Sequence, residues 1–174
     1  MPRFSRPSRQ KRTFSEPKTQ LAIELLAQRP EPSAILVTDE ALTLPENRAV
    51  WKTVLEYVRR GGTAAGLNWE SGSYQRTTLA LNPAAVSVAN AEKLPQRYSQ
   101  KAVFVKNVAP GDMWYKTDDD SVVQSMVFPA TKVNMAGETA VALAKVGTGK
   151  LGYVGDVNAE EGSNAVVLAM CGLL

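Results

Sequence analysis

The residue types that most often carry catalysis are sparse in this sequence. Its 174 residues include no histidine, which removes the usual base for a serine or cysteine nucleophile and the commonest zinc ligand. The single cysteine, Cys171, lies in an apolar stretch near the C-terminus. We expect a small buried side chain there, with no base to form a thiolate. Any catalysis would therefore depend on carboxylates.

The best-placed carboxylates are Asp39 and Glu40, which follow the apolar run 34–37. That run predicts a short strand buried on both faces, and α/β proteins place their sites at the carboxyl ends of such strands. Adjacent side chains diverge at a strand end, which argues against joint catalysis. We therefore predict no catalytic residue here and a ligand-binding role for Thr38, Asp39 and Glu40.

A second group of polar residues follows the last apolar run before the C-terminal helix. Asp156, Asn158 and Glu160 have the spacing that opens a calcium loop, but Glu161 and Val167 occupy its sixth and twelfth positions, where glycine and glutamate are needed. These acids are expected to precede the N-terminus of a helix, where the helix dipole favours negative charge. A looser cation site formed by Asp156, Glu160 and Glu161 is the alternative. The sequence predicts no metal site, and we add Asp156 and Asn158 to the expected ligand-binding residues.

Two further motifs have simpler interpretations. The segment 147–150 (GTGK) resembles the end of a phosphate-binding loop, but Ala144 and Leu151 stand where a glycine and a Ser or Thr are required. It predicts a hairpin turn instead. The acidic run 118–120 predicts a solvated turn rather than a Mg²⁺ site, because three adjacent side chains do not point one way.

Five aromatic residues lie in or near predicted loops, where they could line a pocket. They are Trp69, Tyr74, Tyr98, Trp114 and Tyr115. A reader of single-stranded nucleic acid would interleave them with basic residues, and few are near. Packing in the core and loops is the favoured interpretation.

The elements that must position these residues follow an α/β pattern. A helix is predicted over 44–60, with a capping box formed by Thr43 and Glu46 and a glycine stop at 61–62. Further helices are predicted over 18–28 and 163–172, the last capped by Ser163. The predicted strands are 34–37, 63–67, 77–81, 102–105 and 121–128, followed by an antiparallel hairpin of 140–146 and 151–157.

The positive charge of the chain is concentrated at its N-terminus. Five basic residues precede the first acid, Glu16, and 15 basic and 17 acidic residues follow, so the net charge of +3 becomes −2 beyond the first 15 residues. We predict a disordered basic tail over 1–17 and a single α/β domain over 18–174. A nuclear localisation patch, a weak nucleic-acid contact and a transit peptide are the alternatives for the tail.

The composition of the chain limits the cellular environments that we expect for the protein. No apolar run approaches the roughly 18 residues that a membrane helix needs, and one cysteine forms no intrachain disulfide. We expect no membrane partner, no cofactor and a cytoplasmic location, with the nucleus as the alternative. Oligomeric state is left open.

Three segments resemble the class I glutamine amidotransferase-like (ThuA-like) group, in particular its fungal members. They are ILVTDEALT at 35–43, VLEYVRRGGT at 54–63 and VALAKVGTGKLGYVGDVNAEEGSNAVVLAMCGLL at 141–174. The resemblance implies a flavodoxin-like three-layer α/β domain with a partly parallel sheet. It also implies that the chain is shortened, without one strand–helix unit at its N-terminus and without an elbow helix after Gly66.

The resemblance does not carry glutamine hydrolysis to this chain. In that class, the strand after the helix and its glycine pair leads to a nucleophilic cysteine completed by a His–Glu pair. The matching residues 63–67 (TAAGL) include neither Cys nor Ser. We therefore expect a non-catalytic amidotransferase-like domain that binds a small molecule or a protein partner. The alternative is a carboxylate- or metal-dependent hydrolase acting on a sugar-like substrate.

Overall fold

The structure, a computed structural model, describes residues 16–27, 31–38, 40–67 and 75–174. Most of the predicted basic tail, residue Asp39 and the aromatic residues Trp69 and Tyr74 lie outside these ranges. The helices are α1 (Glu16–Ala27), α2 (Arg48–Arg59), α3 (Val88–Ala91) and α4 (Glu161–Met170). The strands are β1 (Ala34–Val37), β2 (Thr63–Leu67), β3 (Arg76–Leu81), β4 (Arg97–Lys101), β5 (Val105–Lys106), β6 (Met113–Lys116), β7 (Val122–Gln124), β8 (Thr131–Lys132), β9 (Glu138–Thr139), β10 (Val141–Val146) and β11 (Gly149–Val154).

One mixed sheet of nine strands organises the described residues. Its order is β1-β2-β11-β10-β6-β3-β7-β8, with β4 paired to β3, while β5 and β9 pair separately. Strands β1, β2 and β11 are parallel, and β10 runs antiparallel to β11. The predicted α/β class, partly parallel sheet and C-terminal hairpin are confirmed.

Adjacent residues of β2 show how the three layers form. Ala64 belongs to a buried cluster with Val54 and Val58 of α2, whereas Ala65 belongs to a second cluster with Val166 and Met170 of α4. Because successive strand residues point to opposite faces, α2 covers one face of the sheet and α4 the other. α1 packs on α2.

Helix α2 begins later than predicted, and the capping box of Thr43 and Glu46 is wrong. The 3-10 turns Glu40–Thr43 and Pro45–Asn47 precede it, and α2 starts at Arg48. Leu44 is extended, with φ −71° and ψ 148°, because the residue before a proline is driven out of the helical region. That extended residue separates Thr43 from the helix.

Strand β1 is not buried on both faces, contrary to prediction. Its partner in the described sheet is β2 alone, and Leu36 is 48% exposed. Ile35, on the opposite face, packs against the α2 cluster. The strand is at the sheet edge, and helices cover one of its faces.

Two predicted strands have different bounds in the structure. The strand predicted over 102–105 is replaced by β4 at Arg97–Lys101, followed by a single bridge from Ala102 to Asp156 and the short β5. The strand predicted over 121–128 ends at Gln124. Met126, Val127 and Phe128 then form a loop with side chains 104%, 80% and 73% exposed.

The C-terminal segments differ from prediction in detail. The β10–β11 turn consists of two residues, because Val146 pairs with Gly149, and Gly147 has φ +65°. α4 begins at Glu161, which places Ser163 inside the first turn rather than at the cap. Leu168 is 44% exposed, so α4 is not buried all round. None of the described helices is both long and apolar enough to cross a membrane.

Candidate functional site

A cavity of about 890 Å³ lies on the α2 face of the sheet, at the carboxyl ends of the parallel strands. The register aligns Val37, Gly66, Tyr153 and Ala142 in one row across β1, β2, β11 and β10. The preceding row on this face contributes Ala64, Leu151 and Ala144 to the lining. Four of these floor residues are Ala or Gly, and their small side chains leave the space above the sheet open.

Two walls enclose this floor. The first wall comes from the 3-10 turn at Glu40–Thr43 and from α2, and its lining residues are Leu42, Thr43, Leu44 and Trp51. The opposite wall comes from β5 and the segment that follows it, and its lining residues are Val105, Asn107, Val108, Ala109 and Asp112. Most of the lining is apolar, as is typical of small-molecule sites.

Two polar side chains of the second wall stand out against this apolar lining. Asn107 has φ +60°, a left-handed conformation that asparagine tolerates better than most residues. Asp112 ends the 3-10 turn Pro110–Asp112, where its backbone N–H donates to the carbonyl of Ala109 at 2.9 Å. Neither side chain forms a hydrogen bond or ion pair with a described residue. Both are therefore available to a ligand.

The cavity contains two aromatic side chains and no basic ones among the described lining residues. Trp51 is partly buried and packs against the α2 cluster. The hydroxyl of Tyr153 donates to the carbonyl of Val103 at 3.3 Å, which orients its ring at the end of β11. Asp112 is the only charged residue among the described lining residues, which together give the cavity a negative charge.

The structure places the predicted strand-end residues beside the cavity. Val37 lines it, and the exposed Thr38 follows directly at the end of β1. Glu40 begins the 3-10 turn whose later residues form the first wall. Asp39 lies outside the described residues. Thr38 is thus adjacent to a lining residue without lining the cavity itself, and the binding role of Thr38, Asp39 and Glu40 stays a prediction.

Asp156 and Asn158 lie elsewhere. Asp156 is 1% exposed, and its carboxylate accepts hydrogen bonds from the backbone N–H of Asn158 at 2.9 Å and of Glu160 at 2.6 Å, and from the hydroxyl of Ser163. Glu160 pairs with Arg76. Asn158 lines a second cavity, beside the β7–β8 loop. The structure thus separates this pair from Thr38 and gives Asp156 a role in fixing the start of α4.

A buried polar cluster connects Asp156 to β4. The hydroxyl of Tyr98 donates to Oε1 of Gln100 at 2.7 Å, and the same oxygen lies 3.3 Å from the hydroxyl of Ser163. Gln100 is fully buried, and its Nε2 has no partner among the described residues. The ring of Tyr98 meets that of Tyr115 edge to face, with centroids 4.9 Å apart.

The three aromatic residues of this set that the structure describes pack in the core, as predicted. Tyr115 is fully buried, Trp114 is 5% exposed, and Tyr98 packs against the same core cluster. Burial raises the pKa of Tyr98 and of Tyr115. Cys171 lies at the C-cap of α4 and is partly buried rather than fully buried as expected, and this burial raises the pKa of its thiol.

These raised tyrosine pKa values predict alkaline unfolding. An unfolded tyrosine releases its proton near pH 10, whereas Tyr98 and Tyr115 keep theirs in the folded protein. The contribution of these two tyrosines to the free energy of unfolding is therefore complete below about pH 9. Above pH 10 it falls by about 1.4 kcal/mol per pH unit for each tyrosine. Urea unfolding between pH 8 and 11 measures the slope. Tyr115→Phe should make it shallower, and an unchanged slope in that variant would contradict the assignment.

Two acids of the run 118–120 form local contacts. Asp118 pairs with Arg97 and bonds to Ser121, and Asp120 pairs with Lys132, which confirms the solvated turn predicted at 118–120. Within the described ranges, no three His, Cys, Asp or Glu side chains are grouped so as to hold a metal ion.

Comparison with known proteins adds no identification. No protein-family model matches the chain, and no curated protein matches it. The resemblance to ThuA-like proteins stays a prediction, and the function is argued from the cavity itself.

Sequence reasoning missed the floor and the second wall of the cavity. A signal for the floor existed, because small residues alternate with larger ones in β10, where Ala142 and Ala144 flank Leu143. Asn107 and Asp112 gave no such signal. Their position above β11 and β10 depends on the tertiary course of the chain after β5.

Proposed function

We propose that the protein binds a small, mainly apolar molecule in the cavity at the ends of β1, β2 and β11, and that it acts by binding rather than by catalysis. One observation carries this proposal. An apolar cavity of about 890 Å³ opens where the parallel strands end, and two polar side chains that have no partner among the described residues line it. Cavities of this size and composition accommodate metabolite-sized ligands.

The shape of the cavity explains how binding energy would arise. Apolar ligand surface removed from water contributes about 25 cal/mol per Å² before the costs of association are subtracted. The Ala and Gly floor sets the depth available to the ligand, while Trp51 and Leu42 contact it from the α2 side. Asn107 and Asp112 then determine its orientation, because burying them unpaired would cost affinity.

Of the two kinds of partner that the sequence left open, this cavity supports a small molecule over a protein. The cavity is concave and lined from four strands and two walls, which suits a ligand enclosed on several sides. No contact among the described residues specifically favours the hydrolase acting on a sugar-like substrate. The amidotransferase-like family assignment remains a hypothesis drawn from the resemblance.

Filling the cavity should abolish ligand binding. Ala144 lies on the floor and is partly buried, so Ala144→Phe would place a ring in the ligand's space. We expect a panel of apolar metabolites to include at least one that raises the Tm of the native protein, since ligands that bind only the folded state stabilise it. The variant should lose that shift, with an affinity at least tenfold weaker.

The matched control for this test is Ala84→Phe. Ala84 is exposed in the turn after β3, so the same substitution there adds a ring outside the cavity. This variant should retain the ligand-induced shift. An equal shift in Ala144→Phe would place the ligand elsewhere and overturn the proposed site.

A further inference from the structure

We infer that the ligand of the cavity is an organic cation, an apolar body that carries a protonated or quaternary amine. This inference rests on the proposed function and names the class of molecule that the same site would take. It is carried by the charge and the aromatic content of the lining. Asp112 provides a carboxylate, Trp51 and Tyr153 provide aromatic rings, and none of the described lining residues is basic.

The charge of the cavity selects the sign of the ligand. Asp112 is partly buried and forms no ion pair with a described residue. A carboxylate that is partly removed from water interacts more strongly with a nearby charge than a fully exposed one, because water screens it less. A cationic nitrogen would gain an ion pair with Asp112. A phosphate or carboxylate ligand would meet this negative charge without a compensating Lys or Arg in the lining.

The aromatic residues distinguish an organic cation from a metal ion. Indole and phenol rings attract ammonium groups through their faces, and Trp is the most effective of them. A metal ion would require several oxygen or nitrogen ligands, whereas Asp112 is the only carboxylate of the described lining. Asn107 adds a neutral amide whose oxygen accepts a hydrogen bond from an N–H of the ligand.

The inference is tested with three probes that share one apolar body. Isothermal titration of the full chain would compare 4-phenylbutylamine, 4-phenylbutanol and 4-phenylbutanoate, which are cationic, neutral and anionic at pH 7. We expect the amine to bind at least tenfold more tightly than the alcohol, and the carboxylate to bind most weakly. Asp112→Asn should reduce the amine's affinity to that of the alcohol and change the alcohol's affinity less than twofold.

Three further variants test the specificity of this result. Asp119→Asn removes an exposed acid outside the cavity and should leave the preference for the amine intact. Trp51→Leu should weaken the amine several-fold more than the alcohol, whereas Trp51→Phe should retain much of the difference. Because Trp51→Phe keeps an aromatic ring and Trp51→Leu does not, comparing the two separates the loss of the aromatic face from a general disturbance of α2.

The outcomes distinguish this inference from the proposed function. If the amine and the alcohol bind equally and Ala144→Phe blocks both, the cavity is a binding site and the cationic preference is wrong. If the carboxylate binds most tightly, or if the amine does not bind the native protein, the inference is also overturned. The proposed function is then decided separately by the metabolite panel and the Ala144→Phe variant.

Discussion

Replacing Asp156 with alanine is expected to lower the free energy of unfolding by about 3 kcal/mol. The carboxylate is 1% exposed and accepts hydrogen bonds from two backbone N–H groups and from Ser163. Its removal would leave the partly buried N–H groups of the segment before α4 and the buried hydroxyl of Ser163 without that acceptor. Hydrogen bonds to a charged group are among the stronger ones, and buried donors without partners are costly.

Urea denaturation at pH 7 would measure this effect, and thermal unfolding should show a Tm lower by about 6 to 12 °C. Asp156→Asn retains one carbonyl acceptor and should cost roughly half as much. Asp119→Ala, at an exposed position of the β6–β7 turn, should change stability by less than about 0.5 kcal/mol. A loss in Asp156→Ala as small as that of this control would show that the carboxylate does not support α4.

The second large effect is expected at Gly149, where the β10–β11 hairpin meets the end of α2. A Cβ at this position would lie far inside van der Waals contact with the carbonyl oxygens of Val58 and Gly62. These are backbone atoms that cannot rotate away. The same junction is fixed by hydrogen bonds from Thr148 to the carbonyl of Arg59 and from Lys150 N–H to the carbonyl of Gly62.

Gly149→Ala should therefore cost about 4 kcal/mol or more, in the range that marks exceptional substitutions. Separating the hairpin from α2 would also open the α2 side of the core. Circular dichroism during urea unfolding measures the loss. Gly111→Ala is the matched control, since a Cβ there has no neighbour within 4 Å, and it should be nearly neutral. Equal stability of the two variants would contradict the close backbone approach.

The elements that could be predicted from the sequence are those in which the spacing of apolar residues along the chain indicates the buried face. The apolar stripe of α2 includes Val50, Val54 and Val58, all buried in the structure. The hairpin of β10 and β11 was equally clear, because two apolar runs flank a glycine-containing turn. In these elements, spacing along the chain alone indicates which side faces the core.

Strands β4 and β6 were missed for different physical reasons. β4 (RYSQK) is polar in sequence, yet Gln100 is fully buried because Tyr98 and Ser163 bond to its side chain. β6 (MWYK) follows a Pro-Gly pair that predicts a turn, and it extends directly from the 3-10 turn at Pro110–Asp112. In both strands, tertiary contacts override the local pattern.

The candidate site was predictable only on the β1 side. The rule that ligands bind at carboxyl ends of parallel strands directed attention to Thr38, next to the cavity. The same rule also pointed to Asp156, whose carboxylate instead bonds the start of α4. Asn107 and Asp112 are remote from β1 in sequence, and their approach to it follows from the sheet order.

If the cavity binds the proposed ligand, its Ala and Gly floor sets the thickness of that ligand independently of the strand pairing. The methyl groups of Ala142 and Ala144, and the bare Cα of Gly66, face the cavity rather than the backbone hydrogen bonds that join the strands. Adding or removing a methyl group there would alter the thickness of the molecule admitted while leaving the strand pairing intact. Ligand selectivity could therefore diverge among descendants of this chain while the same sheet continued to fold.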